Sequence, residues 1–412
     1  MFWLFLSQVL SADRACRETL RGFLGRLARE GKGASASTAG YCKARGRLRR
    51  EELDQIHDRL ARKIRRAHAG GALWCGRPVK VVDGSSLSMP DTPSLQGVFP
   101  QPGGAKAGCG FPVMRVTALF CLGTGVLISM ARGSLAAAER ALFRTLWDLL
   151  KARDVVLADR GFCGYADLHF LRARAVDCVM RNHQRRTVGK SVLKTLAWGD
   201  RLILWHKSDA RPDWVSKAAW IAMPATLMLR EIEFQVARRG FRVESVTVVT
   251  TLLDADAFPT QAFADLYRRR WFAELFLRDI KTTMGMDILR CKTPDMIHKE
   301  LTLHLIAYNL VRLTMLEAAA EHARPVQTLS FKGALSTIRQ WAPLIAGSSP
   351  AARYTLWSRL LEYVAADALP HRPNRAEPRA RKRRPKNYQL LTKPRHEFKE
   401  IPHRNNYRKM LS

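Results

Sequence analysis

Six side chains in this sequence have the types and spacing for phosphoryl chemistry. Four lie in the stretch YRRRWFAELFLRDIK, residues 267–281. At about 100° per residue, Tyr267, Arg270, Glu274 and Lys281 fall at roughly 0°, 300°, 340° and 320° on a helical wheel, within an arc of roughly 60°. A carboxylate, two cations and a phenol then share one stripe. An i, i+4 ion pair between Arg270 and Glu274 is the simplest reading, but it leaves Tyr267 and Lys281 unexplained. The other two are Asp83, in KVVDGS, and Asp159, in VVLADRGF. Each is expected at the end of a strand, where functional side chains gather in α/β sheets. If the strands are neighbours and the helix crosses them, Asp83, Asp159 and Glu274 converge. Converging carboxylates are what a pair of divalent ions ~4 Å apart requires, and hard oxygen donors suit magnesium. Arg270, Lys281 and Tyr267 would then hold a phosphate beside the metal. Taken singly, each acid more often caps or turns a chain.

The elements that must position these groups follow from periodicity. Val79, Val81 and Val82 mark a strand ending near Asp83. FPVMRVTALFCLGTGVLISMARG reads as a hairpin turning at Gly123-Thr124-Gly125. SLAAAERALFRTLWDLLKARD reads as a helix capped by Ser134. A short buried strand then ends at Asp159, and GYADLHFLRARA and VDCVMRN give a helix and a strand. The order is βββαβαβ, which predicts an α/β fold with a mixed sheet and helices on its faces. Residues 182–250 alternate polar and apolar and hold Trp198, Trp205, Trp214 and Trp220, which predicts a β-rich insertion. A helix over about 260–282, a long helix from TPDMIHKEL onward and further helices over 327–368 follow. The expected divisions are a helical, DNA-binding 1–76, a core in 77–181, the insertion 182–250, completion of the core in 251–320, a helical 321–370 and a basic tail 371–412.

Composition narrows the partners. The chain has 412 residues, 69 Lys and Arg against 36 Asp and Glu, a net charge of +33 and a pI near 10.6. Such an imbalance strains a compact fold unless a polyanion shares the charge, and nucleic acid is the first choice. The tail alone carries 14 Lys and Arg and 3 Glu, about +11 (14 − 3); it is expected to be extended unless bound. The start, MFWLFLSQVLSA, has no positive n-region and is too short to span a bilayer. Phe2, Phe5, Leu6, Val9 and Leu10 predict an amphipathic helix packed on the domain. Eight scattered cysteines without a CxxC pair argue against zinc and a disulfide framework, and fit a reducing cytoplasm.

The motifs together resemble the IS4 family of DDE transposases. Y-x2-R-x3-E-x6-K is filled by Tyr267, Arg270, Glu274 and Lys281. VVDGSSLSMPDTP and VVLADRGFCGY resemble the regions of that family's first and second aspartates. The resemblance runs from about residue 40 to 395. It implies an RNase H-like catalytic core with a β-strand insertion, and a triad of Asp83, Asp159 and Glu274 binding two Mg²⁺ or Mn²⁺ ions. It also implies DNA-phosphate contacts from Tyr267, Arg270 and Lys281. The implied partners are double-stranded DNA, as transposon terminal inverted repeats and target, and a second copy of the chain in the DNA complex. A membrane is not implied, and the expected location is the cytoplasm at the nucleoid. Trp198, Trp205, Trp214 and Trp220 are candidates for stacking on a flipped base; for any one of them a place in the β core is the simpler reading.

The expected reaction is cleavage at the element's ends and joining of 3′ ends to a target. Two alternatives remain from sequence: a non-catalytic DNA-binding relative, and a metal-dependent nuclease without strand transfer. A membrane-surface protein explains the charge but not the acids. Three clustered carboxylates repel, so at least one should have a raised pKa without metal.

Overall fold

A computed structural model describes residues 1–70, 73–104, 106, 108–182, 189–236, 244–369, 392–394 and 397–398. Most of the basic tail expected over 371–412 lies outside the described residues. Four helices open the chain: α1 (Phe2–Leu10), α2 (Cys16–Arg29), α3 (Thr38–Gly46) and α4 (Arg50–Ala67). A short β1 (Leu73–Trp74) pairs with β2 (Arg77–Ser88), followed by α5 (Pro93–Val98). Then come β3 (Val113–Cys121), β4 (Leu127–Ser134), α6 (Glu139–Arg144), β5 (Val155–Ala158), α7 (Tyr165–Ala173) and β6 (Asp177–Arg181). The β-rich stretch supplies β7 (Lys190–Ala197), β8 (Asp200–His206), α8 (Lys217–Ala222), β9 (Thr226–Val236) and β10 (Glu244–Thr250). Helices α9 (Thr260–Arg269), α10 (Trp271–Arg278), α11 (Pro294–Glu321), α12 (Phe331–Ala346) and α13 (Pro350–Ala366) complete the chain.

All the strands join one sheet, in the order β4-β3-β2-β5-β6-β10-β9-β8-β7, with β1 beside β2. β2, β5 and β6 are parallel and the other pairs antiparallel. Strands β2 to β6 therefore form the RNase H-like mixed sheet that the resemblance implied. The β-rich stretch does not fold apart from it. Its β10 pairs with β6, and β9, β8 and β7 extend the same sheet.

Alternation along the strands sorts side chains onto two cores. Val79, Val81, Val155, Leu157, Val179, Ile232 and Val248 face α9–α11 and the helices around them. Val82, Val156, Ala158, Cys178, Met180 and Val249 face α6 and α7. α11 runs through the first core. Leu301, Thr302, Leu303, His304 and Leu305 are all buried in succession, as expected of a helix enclosed on every side. Thr293 caps it, accepting from the Met296 N–H, and Pro294 fits its first turn. α1 packs on α11 and buries Phe5, Leu6 and Val9, as its periodicity predicted, with Leu4 beside them; Phe2 and Leu10 are half-buried. No helix among the described residues is long and apolar enough to cross a membrane.

Three boundaries differ from expectation. β2 runs through Asp83 to Ser88, because Gly84, Ser85 and Ser86 pair with Thr117, Val116 and Arg115 of β3. Ser134 is a strand residue paired with Met114, not a helix cap, and the expected long helix is only α6 plus a 3₁₀ turn at Trp147–Leu149. The expected helix over 260–282 breaks at Arg270, and beyond α10 it ends in a π turn, Asp279–Thr283.

Candidate active site

The sheet register sets Asp83 and Asp159 side by side. Val79, Lys80 and Val81 pair in parallel with Val155, Val156 and Leu157. Asp83 comes two residues further along β2 and Asp159 directly follows β5, which puts both toward the face that Val81 and Leu157 share. That face is covered by α10, which packs on β2 and carries Glu274. All three acids belong to one electrostatic cluster. Burial pushes the Asp83 carboxyl up to about 6; the Gly84 N–H and Arg270 oppose the rise, and Asp159 and Glu274 add to it. A raised carboxyl is the outcome expected of crowded acids without metal.

Each acid is held by one short contact. The Gly84 N–H donates to Asp83 Oδ1 at 2.8 Å, and the Gly161 N–H donates to Asp159 Oδ1 at 2.7 Å. Arg270 Nη2 donates to Glu274 Oε1 at 2.8 Å, the ion pair that i, i+4 spacing allows. Among the described residues, no three His, Cys, Asp or Glu side chains form a ready-made metal group. The Arg270 contact is a physical reason: it draws one Glu274 oxygen toward a cation on its own helix. The donors remain hard oxygens of the kind Mg²⁺ and Mn²⁺ take.

The cations and the phenol gather at the same place. Arg270 lies at the α9–α10 break with its guanidinium 5.8 Å from the centre of the Tyr267 ring. Tyr267 is mostly buried, which raises its phenol pKa; Arg270, Arg181 and Asp159 also act on it. Lys281, in the π turn, donates to Ser85 Oγ at 2.6 Å. Ser85 lies two residues beyond Asp83, on the same side of β2. The strand's extension past Asp83 thus anchors Lys281 beside the acids. π turns recur at functional sites.

The four tryptophans separate. Trp205 and Trp220 are 6% and 9% exposed, and both rings meet Tyr165 edge to face. Trp214 is 39% exposed but lies under Arg144, 3.7 Å from its ring centre, and against Trp147 and Phe170. Trp198 is 82% exposed in the β7–β8 turn. α4 turns Leu53, His57, Ala61 and Ile64 inward and leaves Arg59, Arg62, Lys63 and Arg66 along an open basic depression.

Sequence reasoning missed two supporting groups and one constraint. Arg181 ends β6 level with Asp159, since Ala158 pairs with Met180; the motif VMRN placed it on a strand without marking it. Ser85 was read as lying beyond the strand. At Gly84 an added Cβ would sit 2.2 Å from Glu139 Cδ, so the glycine after Asp83 makes room for a carboxylate on the opposite face.

The strand order β4-β3-β2-β5-β6, antiparallel on one side of β2 and parallel on the other, defines the RNase H-like class of fold. Comparison with known proteins makes this specific. Residues 74–310 match the transposase DDE domain. The chain is 30% identical over 329 residues to transposase InsG of insertion sequence element IS4 from Escherichia coli K12, covering 78% of this chain and 71% of that protein. The chain therefore belongs to the IS4 family of DDE transposases. A weaker similarity, 8% identity and a TM-score of 0.37, links it to the piggyBac transposase synaptic complex with hairpin DNA. That match covers 69% of this chain and 57% of the other.

Proposed function

We propose that this transposase cuts DNA at the terminal inverted repeats of an insertion element and joins the freed 3′ ends to target DNA, with Asp83, Asp159 and Glu274 holding two Mg²⁺ or Mn²⁺ ions. The observation that carries this is the parallel pairing of β2 and β5 just before Asp83 and Asp159, under the helix bearing Glu274. Bound ions would supply a nucleophile at neutral pH and charge stabilisation for the leaving oxygen in an in-line displacement. The chain's own residues do the rest. Arg270 releases Glu274 when a phosphate arrives to take its guanidinium. Lys281, steadied by Ser85, and Tyr267 contact the same phosphate and fix its orientation. No covalent protein–DNA bond is required, so no serine or tyrosine nucleophile is invoked.

Arg59, Arg62, Lys63 and Arg66 supply salt-sensitive contact along the DNA backbone, and residues 1–76 read the terminal repeats. Trp198 has the exposure to stack on an extruded base; Trp205, Trp214 and Trp220 serve packing. Two copies on paired ends are the working assembly, in the cytoplasm at the nucleoid.

The test is cleavage of DNA carrying the element's ends, with Mg²⁺. Asp83→Ala, Asp159→Ala and Glu274→Ala should each lose about 1000-fold in rate, ~4 kcal/mol of barrier. Any one of them retaining full cleavage rules out the triad. Cleavage by wild type without end joining favours the nuclease reading.

A further inference from the structure

Scattered in sequence, three of the eight cysteines meet in space. Cys16 opens α2, Cys42 lies within α3, and Cys291 follows the π-turn loop; all three surround the Arg45 guanidinium. Arg45 is buried and fixed. Its guanidinium lies 4.7 Å from the Phe5 ring centre and 5.0 Å from that of Tyr41. Its Nη1 donates to Gln8 Oε1 at 2.9 Å and its Nη2 to Cys42 Sγ at 3.6 Å. Gln8 Nε2 donates in turn to Cys16 Sγ at 3.4 Å, and the Tyr41 hydroxyl donates to Gln8 Oε1 at 2.7 Å. Cys16 and Cys42 thus sit at the two ends of one Gln8–Arg45 pair, close enough for each thiol to act on the other.

This chemistry excludes one use of thiols and favours another. A fixed guanidinium among the sulfurs repels a metal cation. The same charge stabilises a thiolate. Cys291 is buried against the Glu300 carboxylate, and burial drives its thiol far up, so it stays inert. Cys42 is exposed and accepts from the guanidinium, so a small oxidant reaches it first and it takes the role of attacking sulfur. Cys16 is half-buried, and burial raises its thiol. It suits the second role, in which a neutral thiol closes on an activated sulfur.

We propose that Cys42 and Cys16 are a peroxide-responsive pair that closes into a reversible disulfide between α3 and the first turn of α2. The Cys42 thiolate attacks one oxygen of hydrogen peroxide. An S–O bond forms as the O–O bond breaks, and the departing hydroxide takes a proton to become water. Cys42 is then a sulfenic acid. The Cys16 sulfur attacks it, the S–S bond forms, the S–O bond breaks, and the hydroxyl leaves as water with the Cys16 proton. Two thiols lose two electrons and one peroxide becomes two waters. The target is a loosely seated helix, since only Thr19 and Leu20 of α2 are buried. Closing the loop from residue 16 to 42 would restrict it. The pair is independent of the acids and of the activity proposed for them.

The test treats the full chain with stoichiometric hydrogen peroxide and maps peptides by mass spectrometry without reduction. A Cys16–Cys42 linked peptide, two hydrogens lighter than its parts and reopened by dithiothreitol, is expected. Cys42 should react about tenfold faster than Cys75, which is also exposed but on whose thiol burial alone acts. Cys16→Ser should leave Cys42 as a sulfenic acid that dimedone traps, and Cys42→Ser should abolish the link. The wild-type map decides even where a variant folds poorly. Cys42 reacting no faster than Cys75, or bridging only between molecules, overturns the proposal.

Discussion

Asp83 and Asp200 lie in the same sheet and meet opposite electrostatic fates. Asp200 pairs with Ile232, Ile232 with Val248 and Val248 with Arg181 at the end of β6, and β6 adjoins the strand ends that carry Asp159 and Asp83. Burial alone would raise Asp200, but the buried Arg230 guanidinium and Thr260 bring its carboxyl below the ordinary value. Arg230 Nε donates at 2.8 Å and Thr260 Oγ1 at 2.6 Å. Arg230 also donates to the carbonyls of Asp254 and Phe258, tying β9 to the approach to α9. Among the described residues Asp83 has no comparable full partner, and burial leaves it at about 6. One acid is neutralised permanently and serves the frame. The other is left short of positive charge, as a site for an exchangeable cation would be.

The contrast breaks most visibly if Asp200 is removed. Asp200→Ala strands a buried guanidinium and should cost about 3–5 kcal/mol in urea unfolding; a loss under about 1 kcal/mol would mean the pair is not structural. Asp83→Asn should act in the opposite direction. With EDTA present it should stabilise by about 1–2 kcal/mol, because the penalty of a charged carboxylate there is gone. It should also forfeit most of the stabilisation that Mg²⁺ gives wild type in a thermal melt. The Asp200 contribution has a defined pH sense. Its folded pKa is depressed, so its stabilisation is full above the unfolded value of 3.8 and is lost as pH falls through the lower folded value. Unfolding of wild type and Asp200→Asn between pH 5 and 2.5 should therefore converge toward acid. The smallest effect is expected at the hairpin tip. Trp198→Ala should change stability by no more than ~0.5 kcal/mol, while weakening binding to DNA with an unpaired end base by about 1–3 kcal/mol.

How much of this was legible depended on whether the interaction was local. Tyr267, Arg270, Glu274 and Lys281 share a stripe because helix geometry is local, and the structure keeps them together despite the break at Arg270. The two aspartates announced themselves through the apolar runs before them. What escaped was non-local. Gly84-Ser85-Ser86 has poor strand propensity, yet β3 pairs with it and carries β2 onward to Ser88. The alanine-rich run after Ser134 favours helix, but its start is claimed by pairing with Met114. Nothing in the alternation of residues 182–250 distinguishes a separate sheet from an extension of β6. Cys16, Cys42 and Cys291 have no spacing to read, since three different segments bring them to Arg45.

The pairing of β6 with β10 has a consequence for how the chain is made. Asp83 and Asp159 leave the ribosome well before Glu274, and β6 waits for its neighbour until the whole intervening stretch has been translated. An unfinished chain holds two of the acids without the third, on a sheet with one edge still open. Until residue 274 of the 412 has been added, the growing chain lacks the third acid however well its first strands have folded.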